Sequence, residues 1–194
     1  MNNKINYILC LVAIISSLYI VVTKDNGIGL ILKDSSIVIT ITIPYILEKI
    51  FKIKIDNKIK FVYIFFIFLA HFIGVILEVY NKIYCYDKIV HFLSGVLTSY
   101  LSLLILSVFN KDKNKLFNSI YMIIFTLAIA ALWEMFEYTA NIVFGGDAQK
   151  VILTGVNDTM QDIIVAFMGS ILVSTLYIFN NKLAIFNLKK VIER

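Results

Sequence analysis

Residues 163–179 read "IIVAFMGSILVSTLYIF", a run without one charged side chain. Such a run constrains the fold more than any other feature. A bilayer core about 30 Å thick takes about 20 apolar residues as a helix, in which every backbone polar group is satisfied internally. Comparable stretches recur, and six candidate spans result: roughly 5–23, 35–51, 61–80, 87–109, 116–144 and 159–179. The expected fold is all-α, a polytopic membrane helix bundle forming a single integral domain over residues 1–194. The apolar stretch "GIGLILKDSSIVITITIPYILEKI" that holds the second span carries Lys33 and Asp34 inside it, so the start of that span is the least defined. The fifth is longer than a bilayer requires and is expected to tilt or project.

Composition agrees with this class. The chain is 60% hydrophobic and 16% charged, with Pro44 its single proline; soluble domains carry roughly 45–50% apolar and about 25% charged residues. The first segment, "INYILCLVAIISSLYIVVT", has too long an apolar core for a signal peptide and no small-x-small cleavage site, and reads as a retained helix. Cys10 and Cys85, one in an apolar span and one in a loop, suggest neither a disulfide nor a metal cluster.

The net charge of +5 resides in loops and speaks to orientation. Lys4, the 51–60 and 110–115 loops and the tail from 180 place 12 basic residues on one side, against five on the other: Lys24, Lys33, Lys82, Lys88 and Lys150. Both termini are therefore expected in the cytoplasm. Heavy use of isoleucine, lysine and asparagine suggests an AT-rich bacterial source, and hence the bacterial cytoplasmic membrane. No basic run interleaved with aromatics points to nucleic acid.

On this topology nine of the 13 acidic residues, and both histidines, fall in the outer half. Residues at i and i+4 of a helix share a face. The stretch "YDKIVHFLSG" thereby aligns Asp87 with His91, "ALWEMFEYTAN" aligns Glu134, Glu137 and Asn141, and "NDTMQD" aligns Asp158 with Asp162. In "AHFIGVILEVY", His71 and Glu78 stand seven residues apart, two turns along one face. Ionisable groups within a span cost roughly 2.5–3.5 kcal/mol each at the helix centre and usually face the protein interior. A shared site accounts for several such penalties together.

Plainer roles compete at some positions. Asp158 is a good helix cap, with Gln161 completing a capping-box-like pattern. Lys88 can neutralise Asp87, His71 can serve as an interhelical hydrogen bonder, and Glu78 and Asp147 can be interfacial charges. Glu134, Glu137, His91 and Asp162 fit those accounts least. Trp133, Phe136 and Tyr138 read as lipid or packing contacts, and Gly95 and Gly169 as close-approach positions.

Four of these stretches, "AHFIGVILEVY", "YDKIVHFLSG", "ALWEMFEYTANIVFGGDA" and "NDTMQDIIVAFMGS", resemble in order and spacing the bacterial YjdF-type inner-membrane proteins over about residues 65–175. The arrangement is also distantly similar to VanZ-like membrane proteins. The resemblance implies a common fold and a common polar site, matched here by His71, His91, Glu134, Glu137, Asp158 and Asp162. It implies no reaction. The chain departs from the family pattern at Asn157, where Trp is frequent, and at Met160, where Gln is usual.

Mixed carboxylate and imidazole sets suit Zn, Mn or Fe. No zincin helix, phosphate-binding loop or dinucleotide fingerprint occurs. Ser94 beside His91 lacks the third partner of a nucleophile set. One reading is a metal-dependent hydrolase or transferase acting on a lipid-linked or envelope substrate. There His91, Glu137 and Asp162 bind a divalent metal, Glu134 is the general base, and His71, Asp87, Asn141 and Asp158 support them. A second is a proton- or cation-coupled transporter or sensor, which calls for polar groups continuing through the inner halves of the spans. A third is a non-catalytic membrane protein whose cluster holds the bundle and docks a partner.

Overall fold

A computed structural model describes residues 8, 10–12, 14, 15, 28–83, 85–109, 114–145, 147, 149, 151–179 and 192–193. The expected first span lies mostly outside the described residues, and those of it that are described are helical. In chain order the elements are α1 (Ile28–Phe51), β1 (Lys54–Ile55), α2 (Asn57–Ile67), a π-helical segment (Phe68–Ile76), α3 (Val79–Lys82), α4 (Tyr86–Phe109), α5 (Lys115–Phe144), α6 (Val151–Thr154), α7 (Asn157–Phe179) and β2 (Ile192–Glu193). Among the described residues the regular structure is all helical apart from the two-residue antiparallel pairing of β1 with β2.

Among the described residues four helices are long and apolar enough to cross a membrane: Asn57–Val75, Tyr86–Leu106, Lys115–Val143 and Asn157–Phe179. They correspond to the third to sixth expected spans. The second expected span lies within α1, which begins earlier, at Ile28. Helix α5 has 30 residues, or about 45 Å at 1.5 Å per residue, well beyond a bilayer core. Asn114 starts it by accepting the Phe117 N–H at 3.2 Å. Gly145 ends it at φ 76, its N–H donating to the Asn141 carbonyl.

The chain forms two compact units, Met1–Tyr86 with Lys189–Arg194, and Asp87–Leu188. In the first, Glu48 clamps the turn between α1 and α2. Its Oε1 accepts both the Ile55 N–H and the Lys60 ammonium at 2.7 Å. Lys60 also lies 4.9 Å from the Tyr45 ring centre, so one of the four lysines of the 51–60 stretch is buried.

The third span does not continue as an α-helix, which corrects the expected alignment of His71 with Glu78. Residues 68–76 take π-helical i→i+5 turns, the helix stops at Leu77, and Glu78 adopts the left-handed conformation with φ 58. Tyr80 folds back so that its ring fills the space where a Gly74 Cβ would stand. Tyr86 donates its hydroxyl to the Leu69 carbonyl at 2.9 Å and meets Tyr80 edge-on. The glycine and two tyrosines thus end the helix one turn before its apolar pattern does.

In the second unit α4 and α7 run parallel: Lys88 near the start of α4 meets Asp158 and Asp162 near the start of α7, and Gly95 further along α4 lies against Ala166 further along α7, with Gly169 against Phe92 and Val96. Helix α5 runs antiparallel to both. Thr98 bonds Thr126 at 3.3 Å near its middle, and Asn118 bonds the Tyr177 hydroxyl at 2.9 Å near its start. Leu103, Met122 and Val173 form the core these three helices share.

A Cβ at Gly95 would overlap the Ala166 carbonyl, and one at Gly169 the Phe92 carbonyl. Gly95→Ala and Gly169→Ala are each expected to cost about 1–3 kcal/mol, the usual range for overpacking. Thermal unfolding in detergent measures this, and unchanged midpoints would show that the two helices separate freely.

Candidate functional site

Parallel packing places the first turns of α4 and α7 at one level. Asp87, Lys88 and His91 on α4 thereby meet Asp158 and Asp162 on α7. Both helix ends present the positive pole of the backbone dipole, which favours carboxylates there. The Lys88 ammonium is the hub. It lies 2.6 Å from Asp158 Oδ1, 2.7 Å from Asp162 Oδ1 and 3.7 Å from Asp87 Oδ2. It also donates to the Asp158 backbone carbonyl at 3.3 Å. The side chains are mostly buried, Asp162 the most at 5% exposed and Lys88 the least at 18%.

His91 completes the cluster from the same face as Asp87. Its Nε2 is 3.6 Å from Asp87 Oδ1 and 3.8 Å from Asp162 Oδ1. Asp87, His91 and Asp162 each offer a ligand atom within 4.8 Å of the others. Metal–ligand bonds of about 2.1 Å in a tetrahedron put neighbouring ligands about 3.4 Å apart. The observed spacings therefore need only small side-chain adjustments to close on one ion. When ionised, the three carboxylates exceed the single ammonium by two negative charges.

Glu134 lies on α5 and is 5% exposed. Gln149 donates to its Oε2 at 3.3 Å and to its backbone carbonyl at 3.0 Å, whereas Oε1 has no hydrogen-bond partner. Glu137, one turn further, accepts the Trp133 indole N–H at 2.9 Å and stands outside the three-residue group. Asn141 lies in the last full turn of α5, where its carbonyl accepts the Gly145 N–H. Asp158 is the second residue of α7 and serves Lys88. His71 belongs to the π-helical segment of the first unit.

The plainer roles are also resolved in part. Asp147 accepts the Ile152 N–H through both carboxylate oxygens, at 3.3 and 3.2 Å, at the start of α6. The Ser94 hydroxyl donates to the His91 backbone carbonyl at 2.7 Å, one turn back along its own helix. Trp133, Phe136 and Tyr138 are each about half exposed, as lipid-facing aromatics are.

Two polar residues of this region were absent from the sequence-based site set. Lys88 was read as a neutraliser of Asp87, yet its shortest contacts are both on α7. A charge count of the acid-rich helix ends would have singled it out as a cation among them. Gln149 sits in a turn, with no periodic signal to connect it to Glu134.

A family model described as "Predicted membrane protein (DUF2238)" matches residues 5–182. A Thermotoga maritima protein described as "Uncharacterized protein" is 30% identical over 129 residues. That match covers 65% of this chain and 65% of the relative, so the chain spans just under two thirds of the relative's length. No solved structure matches.

Removing Lys88 strands two buried carboxylates. Lys88→Met is expected to cost about 3–5 kcal/mol, as for other buried pairs that lose one partner. Adding Asp162→Asn should restore part of that loss. Unfolding midpoints of the single and double variants test this, and a Lys88→Met protein as stable as wild type would dismiss the ion pairs as stabilising contacts.

Proposed function

This chain belongs to the DUF2238 family, described as predicted membrane proteins, and from that premise we propose that it is a multi-pass protein whose Asp87–His91–Asp162 group binds one divalent cation. The observation that carries this reading is the convergence of those three ligand atoms within 4.8 Å in a cluster with two surplus negative charges. A carboxylate–imidazole set of this kind suits Zn, Mn or Fe. On this reading the chain crosses the bacterial cytoplasmic membrane six times with both termini in the cytoplasm, as the 12-to-five distribution of basic residues favours. The cluster then lies in the outer half.

The geometry supports Asp87 beside His91 and Asp162, and Lys88 governs entry. Asp162 Oδ1 already accepts the ammonium, so an incoming cation either takes Oδ2 or moves Lys88 wholly onto Asp158. Glu137 joins only by releasing Trp133. Three protein ligands leave coordination positions open, the pattern of catalytic rather than structural metal sites. A bound ion of this type supplies Lewis acidity and lowers the pKa of water at the site. On this reading Glu134 is the proton acceptor, which its buried carboxylate, bonded by Gln149 at one oxygen, supports. The activity this supports is a metal-dependent hydrolase or transferase acting on a lipid-linked or envelope substrate reached from the outer leaflet.

Lys88 favours a second reading. Its ammonium is itself the resident cation, and the cluster pins α4 to α7 as a structural joint.

Metal content separates the two. Protein purified in detergent without chelator is expected to carry about one equivalent of divalent metal, a single three-ligand site. His91→Ala and Asp162→Ala lose it, whereas Glu137→Gln retains it. A folded wild type that stays metal-free after reloading with Zn or Mn would sink the cation site and leave the structural joint.

A further inference from the structure

The turn between α1 and α2 gathers cations at the surface. Lys49, Lys52, Lys54 and Lys58 are all exposed. The acids of the same stretch are engaged with the turn itself. Glu48 binds the Ile55 N–H and the buried Lys60, a pair that is neutral as a whole, and Asp56 caps α2 by accepting the Lys58 N–H at 2.6 Å. Strand pairing sets Lys54 opposite Glu193. With every group ionised, the four exposed lysines outnumber Asp56 and Glu193 by two charges.

Apolar side chains are interleaved with these cations. Ile50 is 65% and Phe51 43% exposed, in the last turn of α1. The helix that begins directly after the turn, Asn57–Val75, is long and apolar enough to cross a membrane, so the turn lies at a membrane boundary. There an exposed isoleucine and phenylalanine enter the acyl region, while neighbouring lysines carry their ammonium groups to the headgroups on apolar stems. The backbone gives an independent sign. Lys52 has φ 52, and the Ile53 N–H donates to the Glu48 carbonyl at 3.2 Å, the helix ending that glycine usually closes. A Cβ is disfavoured in that left-handed conformation. A lysine held where glycine fits more easily indicates a use for its charge.

We propose that this turn is a docking surface for the headgroups of anionic phospholipids. Lys49, Lys52, Lys54 and Lys58 supply the attraction, and Ile50 and Phe51 anchor the turn in the same leaflet. Charge complementarity selects the partner, since a zwitterionic headgroup has no net charge for the surplus cations to neutralise. The inference rests on the chain's being a membrane protein and not on the cation site, with which it shares no residue.

The test places the full chain in detergent micelles with equal amounts of phosphatidylglycerol and phosphatidylcholine and reads the retained lipid by native mass spectrometry. Wild type should retain phosphatidylglycerol about tenfold over phosphatidylcholine, since each lysine near an anionic surface adds about fivefold. Lys49→Gln combined with Lys52→Gln and Lys58→Gln should bring the two lipids near parity. Lys52→Gly separates charge from structure. It should lower the preference about fivefold, yet raise the unfolding midpoint in lipid-free detergent by about 2–4 °C, because the left-handed residue is relieved. It also carries the comparison if the triple variant fails to fold. Parity in wild type, or undiminished preference in a folded variant, overturns the surface. So does a Lys52→Gly midpoint below that of wild type, which would make the lysine part of the turn's own stability. A dimer that the triple variant loses while its lipid preference persists would assign the turn to a second copy and equally overturn the proposal.

Discussion

Gly95 and Gly169 allow the backbones of α4 and α7 to meet, with main-chain atoms of each helix where a side chain would otherwise stand. In a bilayer, helices gain little by hiding apolar surface from one another, since lipid is equally apolar; close packing and polar contacts hold them together instead. This approach therefore sets the register of the two parallel helices. With Gly95 beside Ala166, Lys88 reaches the level of Asp158 and Asp162, and His91 the level of Asp162. A shift of one turn, about 5.4 Å, would carry the ammonium beyond contact with both carboxylates. The polar cluster is in this sense a consequence of two missing side chains.

The cluster in turn reconciles two opposed demands. Carboxylates in an apolar span are costly, and a like-charged group of them more so. Lys88 offsets part of that cost with an unusually short reach across to the neighbouring helix, and the helix dipoles offset more. What remains, with the carboxylates ionised, is an excess of negative charge around an imidazole. Glu134 adds a buried carboxylate from the third helix, held on one side only. Such partial satisfaction is uncommon in a purely structural core, where buried groups are paired.

The first unit departs from regularity in a different way. Its long helix changes to π turns at Phe68 and ends at Leu77, where Tyr80 turns back over Gly74. Apolar content predicted a span to about residue 80. Hydropathy reports how greasy a segment is, not which hydrogen-bond spacing its backbone adopts, so neither the π turns nor the αL residue Glu78 was legible.

Helical class and four of the long spans were legible from residue order alone, because satisfying the backbone in a bilayer leaves helices of about 20 apolar residues as the simplest solution. The i,i+4 alignment of Asp87 with His91 was equally legible, being a property of one helix. Contacts between helices were not. Spacing grouped Glu137 with His91 and Asp162, whereas Glu137 accepts the indole N–H of Trp133 one turn back on its own helix, and it is the tertiary structure that brings Asp87 and Lys88 to Asp162. The same holds for Gln149 on Glu134 and for Thr98 against Thr126. A helix's own sequence determines which residues share its face; the register, rotation and neighbour of that face are decided only when the backbones pack.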